Sequence, residues 1–526
     1  MGALPQSAGM TSAPVLPSAS LSPIFRLIWL GLLLLGGVAS ARTPNILLIL
    51  ADDLGYGDVR CYNDQAKVPT PNLDRLAREG VRFTDAHSPA TVCTPSRYGL
   101  LTGQMPFRIP RGGVVFTGTG GPSLIGSERL TLPAMLKAQG YATAAVGKWH
   151  LGLTFRDAAG APLQAGRPED ARRIDFARRI EGGPLDHGFE SFFGTACCPG
   201  TDWLYAYIDG DRIPTPPTGP LDRAKLPRHP YANDCRPGIV ATDFDLPEID
   251  EQFLRRSRDF LARQARAEPR RPFFLYHATQ AVHLPSFASK DYRGKSSAGP
   301  HGDFIAEFDA HVGLLLADLE KHGLAEDTLV IISSDNGPET TSALRMRADH
   351  GHDGARPWRG LKRDAWEGGH RVPLIVRWPG RVKPGMISDR TISLTDVMAT
   401  VAEITGQALP VPAAEDSISF LPTLESRPQP GRPFLLTQAA GGAATLAIRK
   451  GSWKLITHAG SGGNRYDRGE LKDIVPPGPS RETSPQLYDL FQDPGETTNL
   501  ATQRPEIVQE LQALLTATRA SGRSRP

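Results

Sequence analysis

The sequence predicts an α/β protein: a large, mainly parallel β-sheet flanked by helices, followed by a smaller C-terminal domain of antiparallel sheet plus helix. Three observations predict it. Continuous apolar runs, Asn45–Leu50 (NILLIL) and Thr328–Ser334 (TLVIISS), have the character of strands buried on both faces. Such runs alternate along the chain with segments of helical apolar spacing. After a proline-rich junction, Leu409-Pro410-Val411-Pro412, the pattern changes to short strands in hairpin arrangement.

The elements follow in order. Asn45–Leu50 ends at Ala51-Asp52-Asp53-Leu54-Gly55. Thr70 as N-cap and Pro71 in the first turn open a helix that buries Leu73, Leu76 and Ala77 and ends at Gly80. Thr131–Gln139 is a helix closed by Gly140, and Tyr141–Val146 is a strand. Ile249–Ala265 is a helix with Phe253, Leu254, Phe260 and Leu261 on one side; Phe273–His277 is a strand. Phe304, Phe308, Val312, Leu315 and Leu319 keep helical spacing up to Gly323. Thr328–Ser334 ends at Asp335-Asn336-Gly337, and Val372–Trp378 is a further strand. Past the junction, Thr445–Arg449 and Trp453–Thr457 form a hairpin, Gln486–Leu490 a short strand, and the last helix runs from Pro505 to Arg519. Residues 155–185 and 210–245 are polar, proline-rich insertions expected to border a substrate cleft.

At 526 residues the chain suits one large domain and a smaller one, taken as 42–408 and 409–526, behind a leader at 1–41. In that leader, Leu27–Ala39 is nearly all apolar, Arg26 precedes it, and Ala39-Ser40-Ala41 offers small residues for cleavage after Ala41. This reads as a secretory signal, too short for a spanning helix, and places the mature chain outside the cytoplasm, secreted or periplasmic. No other run is long enough to span a membrane. The net charge of +3 is mild and its arginine pairs are scattered, which argues against a nucleic-acid partner. Five cysteines are too few for a disulfide scaffold. Cys197 and Cys198 are adjacent, so oxidation would pair them with Cys61 or Cys235; the other reading is free thiols.

Two acidic clusters, Asp52-Asp53 and Asp335-Asn336, lie at the ends of predicted strands, where sites form in open α/β sheets. Three carboxylates and an amide oxygen suit Ca²⁺ or Mg²⁺. Asp and Asn also terminate strands in ordinary turns, so the weight comes from two clusters at equivalent places.

The segment Cys93-Thr94-Pro95-Ser96-Arg97-Tyr98-Gly99-Leu100-Leu101-Thr102-Gly103 resembles the type I sulfatase motif C-x-P-S-R-x-x-L-x-T-G at every defined position. The resemblance continues through Thr70–Thr84, Gly147-Lys148-Trp149-His150-Leu151-Gly152, Ala281-Val282-His283-Leu284-Pro285, Ser334-Asp335-Asn336-Gly337, Gly360-Leu361-Lys362 with Glu367-Gly368-Gly369, and Tyr488-Asp489-Leu490 with Asp493-Pro494-Gly495-Glu496. It implies an alkaline-phosphatase-like fold and an arylsulfatase-like hydrolase of sulfate esters, small or glycan-borne.

The same resemblance implies roles. A maturation enzyme would oxidise Cys93 to formylglycine, whose hydrate attacks sulfur with one hydroxyl and expels sulfate with the other. Asp52, Asp53, Asp335 and Asn336, with an oxygen of modified Cys93, would hold one Ca²⁺. Arg97, four residues after Cys93, would stand beside it if the segment is helical. Lys148 and Lys362 would meet the sulfate oxygens, His150 would handle the hydrate proton, and His283 would serve as general acid. His277, His301, His350, His352 and His370 are read as structural. The family's sulfate-contacting hydroxyl, expected after Gly188-Phe189…Gly194, has no clear counterpart: Thr195 and Cys197-Cys198 stand there.

Two alternatives stand beside this reading. A phosphate or phosphonate ester hydrolase of the same superfamily would share the fold, but those enzymes commonly use Thr or Ser and two metals. An inactive relative that only binds sulfated glycans would be expected to have lost some of Cys93, Arg97, Lys148, His150, His283 and Lys362; none is lost.

Overall fold

Asn45–Ala51 forms the middle strand of a nine-stranded sheet in the computed structural model, which describes residues 43–232, 234–468, 471 and 483–525. In chain order the strands are β1 (Asn45–Ala51), β2 (Val81–Phe83), β3 (Ala142–Lys148), β4 (Ser191–Thr195), β5 (Ile208–Asp209), β6 (Phe273–Ala278), β7 (Thr328–Ser334), β8 (Leu374–Arg377) and β9 (Met386–Ser388). Their spatial order is β9-β2-β8-β7-β1-β6-β3-β4-β5. The block β7-β1-β6-β3-β4 is parallel throughout. β8 pairs antiparallel with both β7 and β2, and β5 antiparallel with β4. All seven residues of β1 and of β7 are buried, as their unbroken apolar runs require of strands covered on both faces.

The helices that bear on the site and the core are α1 (Pro71–Glu79), α2 (Cys93–Thr102), α3 (Leu132–Ala138), α4 (Ile249–Arg266), α5 (Gly299–Lys321) and, near the C-terminus, α6 (Pro505–Ala520), with others between. Thr131 caps α3 by accepting from Ala134 N. Thr70 sits at the N-cap of α1, but its hydroxyl accepts from Arg60 N at 2.9 Å instead of from the helix. The free N–H groups at that end go to Asp309 of α5, which accepts from Asn72 N at 3.1 Å and Leu73 N at 2.8 Å.

Strand β3 runs two residues past the predicted Val146 and so carries Gly147 and Lys148. Gly147 has φ +111°, and a Cβ there would lie 1.7 Å from Ala278 O, so only glycine lets β3 pass β6 at this point.

The C-terminal pattern folds as expected into a four-stranded antiparallel sheet, β10 (Leu435–Gln438), β11 (Leu446–Lys450), β12 (Trp453–Ile456) and β13 (Gln486–Asp489), in that order. Leu511 and Leu515 of α6 cover Leu436, Leu446, Ile448, Leu455 and Leu487. This sheet belongs to the same compact unit as the large one. Lys454 joins them: its buried ammonium lies 3.0 Å from Glu367 Oε1 and 2.9 Å from Glu496 Oε1.

The predicted leader, 1–41, lies outside the described residues. Among the described residues no helix is long and apolar enough to cross a membrane. All five cysteines are free, so of the two readings the structure has the free thiols and not a pairing of Cys197 or Cys198 with Cys61 or Cys235. The thiols have other neighbours: Cys197 Sγ donates to Gly118 O at 3.5 Å, and Cys235 Sγ lies 3.9 Å from the Tyr205 hydroxyl.

Candidate active site

The C-terminal ends of β1, β7 and β3 converge. Register pairs Ala51 with Ser334, so the residues that follow, Asp52-Asp53 and Asp335-Asn336, emerge side by side. Asp335 N donates to Ala51 O at 3.1 Å, Leu54 N to Ser334 Oγ at 2.8 Å, and Asp53 N to Asp335 Oδ1 at 3.2 Å. Asp53 is held at φ +64°, a left-handed conformation that a non-glycine residue adopts only when its surroundings impose it. All four side chains are fully buried.

Cys93 is the first residue of α2, and the whole helix is buried. One turn on, Arg97 points back at the acidic cluster. It donates Nε to Asp335 Oδ2 at 2.9 Å and Nη1 to Lys148 O at 3.0 Å, while Nη2 lies 2.8 Å from Asp335 Oδ2 and 3.6 Å from Asp52 Oδ2. The sequence expectation of a helical Cys93–Arg97 segment therefore holds, and Arg97 ties the helix to both strand ends.

The two predicted lysines are equally buried. Lys148 Nζ lies 2.5 Å from Asp52 Oδ2, and Lys362 Nζ lies 2.7 Å from Asp53 Oδ2 and 3.2 Å from Glu339 Oε2. Burial works against both ammonium charges. Asp52, Cys198 and Cys93 together outweigh it for Lys148, and Asp53, Glu339 and Cys93 together for Lys362, so both are held above the usual lysine range. Arg363, at φ +82°, clamps the far side of Glu339 at 2.7 and 2.9 Å. Burial would raise the Glu339 carboxyl, but Arg363 and Lys362 hold it well below the usual range.

Two histidines face the same point. His150, at φ +58°, has Nε2 2.7 Å from Phe116 O; a carbonyl only accepts, so Nε2 carries a proton and Nδ1 is the ring nitrogen on the side of Cys198. His283 has Nδ1 2.5 Å from Leu284 O, which fixes its proton there and leaves Nε2 bare, 3.7 Å from Asp53 Oδ2. Burial, reinforced by Lys362, lowers His283 to about 4. A general acid at this nitrogen must first gain a proton.

Asp52, Cys93 and Asp335 offer ligand atoms within 4.8 Å of one another, and so do Asp52, Asp53 and His283. Burial raises both Asp52 and Asp335, the latter to about 7 with Asp52 adding repulsion. Asp52 Oδ1 and Asn336 Oδ1 are buried with no hydrogen-bond partner among the described residues. Buried, mutually repelling carboxylates with orphaned oxygens fit a hard divalent cation. Four of the five histidines set aside as structural are hydrogen-bonded elsewhere: His277 to Ser257, His301 to Ser286, His352 to Asp58 and His370 to His87.

Three neighbours had no role assigned from the sequence. Glu339 and Arg363 complete the lysine pocket, and their only signal was proximity to Asn336 and Lys362. Cys198 is the third. Its Sγ lies 3.9 Å from both His150 Nδ1 and His283 Nε2, where the missing hydroxyl was sought. The Cys93 thiol is held well below the usual range, first by its contact with Cys198 and then, against burial, by Lys148, His150 and Lys362.

Comparison with known proteins places the chain in a family. The sulfatase family model matches residues 44–407. An N-acetylgalactosamine-6-O-sulfatase of Bacteroides thetaiotaomicron is 34% identical over 90% of this chain and 93% of its own, and human arylsulfatase A is 35% identical over 92% and 89%. A solved Bacteroides thetaiotaomicron sulfatase from a locus for glycosaminoglycan metabolism superposes with a TM-score of 0.76 at 31% identity, covering 91% of this chain and 100% of that one. Over nearly the whole described length, in sequence as in fold, the chain belongs to the sulfatase family and hydrolyses sulfate esters.

Proposed function

We propose that this sulfatase acts through a formylglycine made from Cys93 by a maturation enzyme, with one Ca²⁺ held by Asp52, Asp53, Asp335 and Asn336. The observation that carries the proposal is the position of Cys93. It opens a buried helix between the acidic cluster and the two histidines, with Arg97 one turn behind it. Formylglycine would supply, as its hydrate, a nucleophile with an internal route for releasing sulfate. The cation would supply charge to polarise the ester.

The remaining work falls to side chains. Lys148 and Lys362 are charged, buried and aimed at the cluster, so they oppose charge developing on sulfate oxygens in a water-poor site. Arg97 holds Asp335 and the end of β3 against the helix of Cys93. His150 Nδ1 lies within 4.8 Å of the Cys93 side chain and handles the proton of the nucleophile. His283 Nε2 serves the leaving oxygen once it carries a proton.

The leader ending at Ala41 supports export to a secreted or periplasmic location as part of the same proposal. The relatives' names point to two ester classes, an N-acetylgalactosamine 6-O-sulfate and an aryl sulfate. Both belong in the first panel, beside an aryl phosphate.

Two measurements test the reading. A Cys93 peptide from active protein should show the thiol exchanged for an aldehyde. Sulfate release should exceed phosphate release from matched aryl esters. An unmodified Cys93 in active protein refutes the modification, and dominant phosphatase turnover refutes the sulfate specificity.

A further inference from the structure

Cys93 stands on the boundary between two donor sets of opposite character. On one side are oxygens: Asp52, Asp53, Asp335 and Asn336. On the other are sulfur and nitrogen: Cys198 Sγ and His150 Nδ1, which with Cys93 Sγ lie within 4.8 Å of one another, and His283 Nε2, 3.9 Å from Cys198 Sγ. The oxygen set suits a hard cation; the sulfur and nitrogen set does not. It has the composition of a zinc site.

The orientation of the imidazoles strengthens the case. Each donates its other ring nitrogen to a backbone carbonyl, His150 to Phe116 O and His283 to Leu284 O. This second-shell arrangement fixes a metal-ligating histidine's tautomer and aims its lone pair. His150 Nδ1 and His283 Nε2 each lie 3.9 Å from Cys198 Sγ, the latter also 3.7 Å from Asp53 Oδ2. The four side chains are buried, so water competes little for the position.

We propose that, while Cys93 is still a cysteine, Cys93, Cys198 and His150, with His283 beside them, bind one thiophilic divalent ion of the zinc class. Both sulfurs coordinate as thiolates, and the protons they lose pass to solvent. The bound ion holds Cys93 on the soft side of the pocket, away from the carboxylates. Conversion of Cys93 removes one sulfur from the set, so the site belongs to the unconverted enzyme. It shares residues with the site read above but does not need sulfate turnover: it is measured on unconverted protein.

The test uses full-length protein made in a host without the maturation system, its unmodified Cys93 confirmed by peptide mass. Cd²⁺ is added in excess Ca²⁺ with a phosphine reductant, and the thiolate-to-cadmium absorption is followed. One equivalent should bind, Zn²⁺ should displace it, and Ca²⁺ should not. Cys198→Ser and Cys93→Ser should each weaken binding by more than about tenfold, and so should conversion of Cys93. Cys198→Ala, with an unchanged unfolding midpoint, separates ligand loss from misfolding. Absence of the band overturns the proposal, as does a band of equal affinity in folded Cys198 variants, which would assign it to Cys61, Cys197 or Cys235. A Cys93–Cys198 disulfide that resists the reductant, seen as a cross-linked peptide, overturns it as well.

Discussion

Arg97 and Asp335 form a fully buried ion pair: Nε and Nη2 of Arg97 lie 2.9 and 2.8 Å from the same carboxylate oxygen. The pair fastens the helix of Cys93 to the end of the central strands. Removing one member of a buried pair strands the other's charge, at a cost of about 3–5 kcal/mol. Arg97→Ala should therefore lower the urea midpoint and abolish turnover. Arg97→Lys should recover part of the stability but not the fork that reaches Asp335 and Lys148 O together. A wild-type midpoint in Arg97→Ala would show that the pair adds nothing.

Cys93 separates chemistry from scaffold. Its side chain is small and ends a strand-to-helix connection, so Cys93→Ala should leave the fold unchanged while turnover disappears. Cys93→Ser retains a nucleophilic oxygen but no second hydroxyl to expel sulfate. It should react once, gain the mass of one sulfate and stall. Steady turnover by Cys93→Ser would argue against the internal release route.

Thr328–Ser334 was legible to the residue because an unbroken apolar run is what a strand covered on both faces demands. Strand direction was not legible. Val372–Trp378 has the same apolar character, yet its core pairs antiparallel to β7, and alternation of strands and helices does not encode that. The carboxylates, lysines and histidines were found because each stands in a local motif. Glu339 was missed, and Cys198 was noted without a role, because their contacts arise from approach across long separations, Cys198 to His150 and His283, Glu339 to Lys362.

Glu339 is the residue that sequence reasoning most undervalued. It holds Lys362 from one side and Arg363 from the other. Glu339→Gln keeps its shape and removes its charge, leaving the buried Lys362 ammonium and the partly exposed Arg363 guanidinium to repel each other. A positioning residue of this kind typically costs about 10–100-fold when lost. We expect a fall of that order in kcat/KM, carried mainly by kcat, with partial rescue by Glu339→Asp. An unchanged kcat in Glu339→Gln would reduce the clamp to packing.

Asp250 braces the loop that carries His283. Its Oδ1 accepts from Gln280 N and its Oδ2 from Ala281 N, both at 2.9 Å, and Ala281 O in turn accepts from Asp52 N at 3.0 Å. Burial raises its carboxyl from 3.8 to about 6, against the pull of His311 and the two backbone donors. Between those values the folded chain binds more protons than the unfolded one, so this group's contribution to stability falls as pH rises and levels off above about 6. Asp250→Asn has no proton to exchange and should lose that slope. The advantage of the native chain over the variant should shrink by ~2–3 kcal/mol between about pH 4 and pH 7. Urea unfolding of both proteins across that range measures it. A gap that stays constant with pH would mean that Asp250 titrates like an exposed aspartate and that burial leaves its charge unopposed.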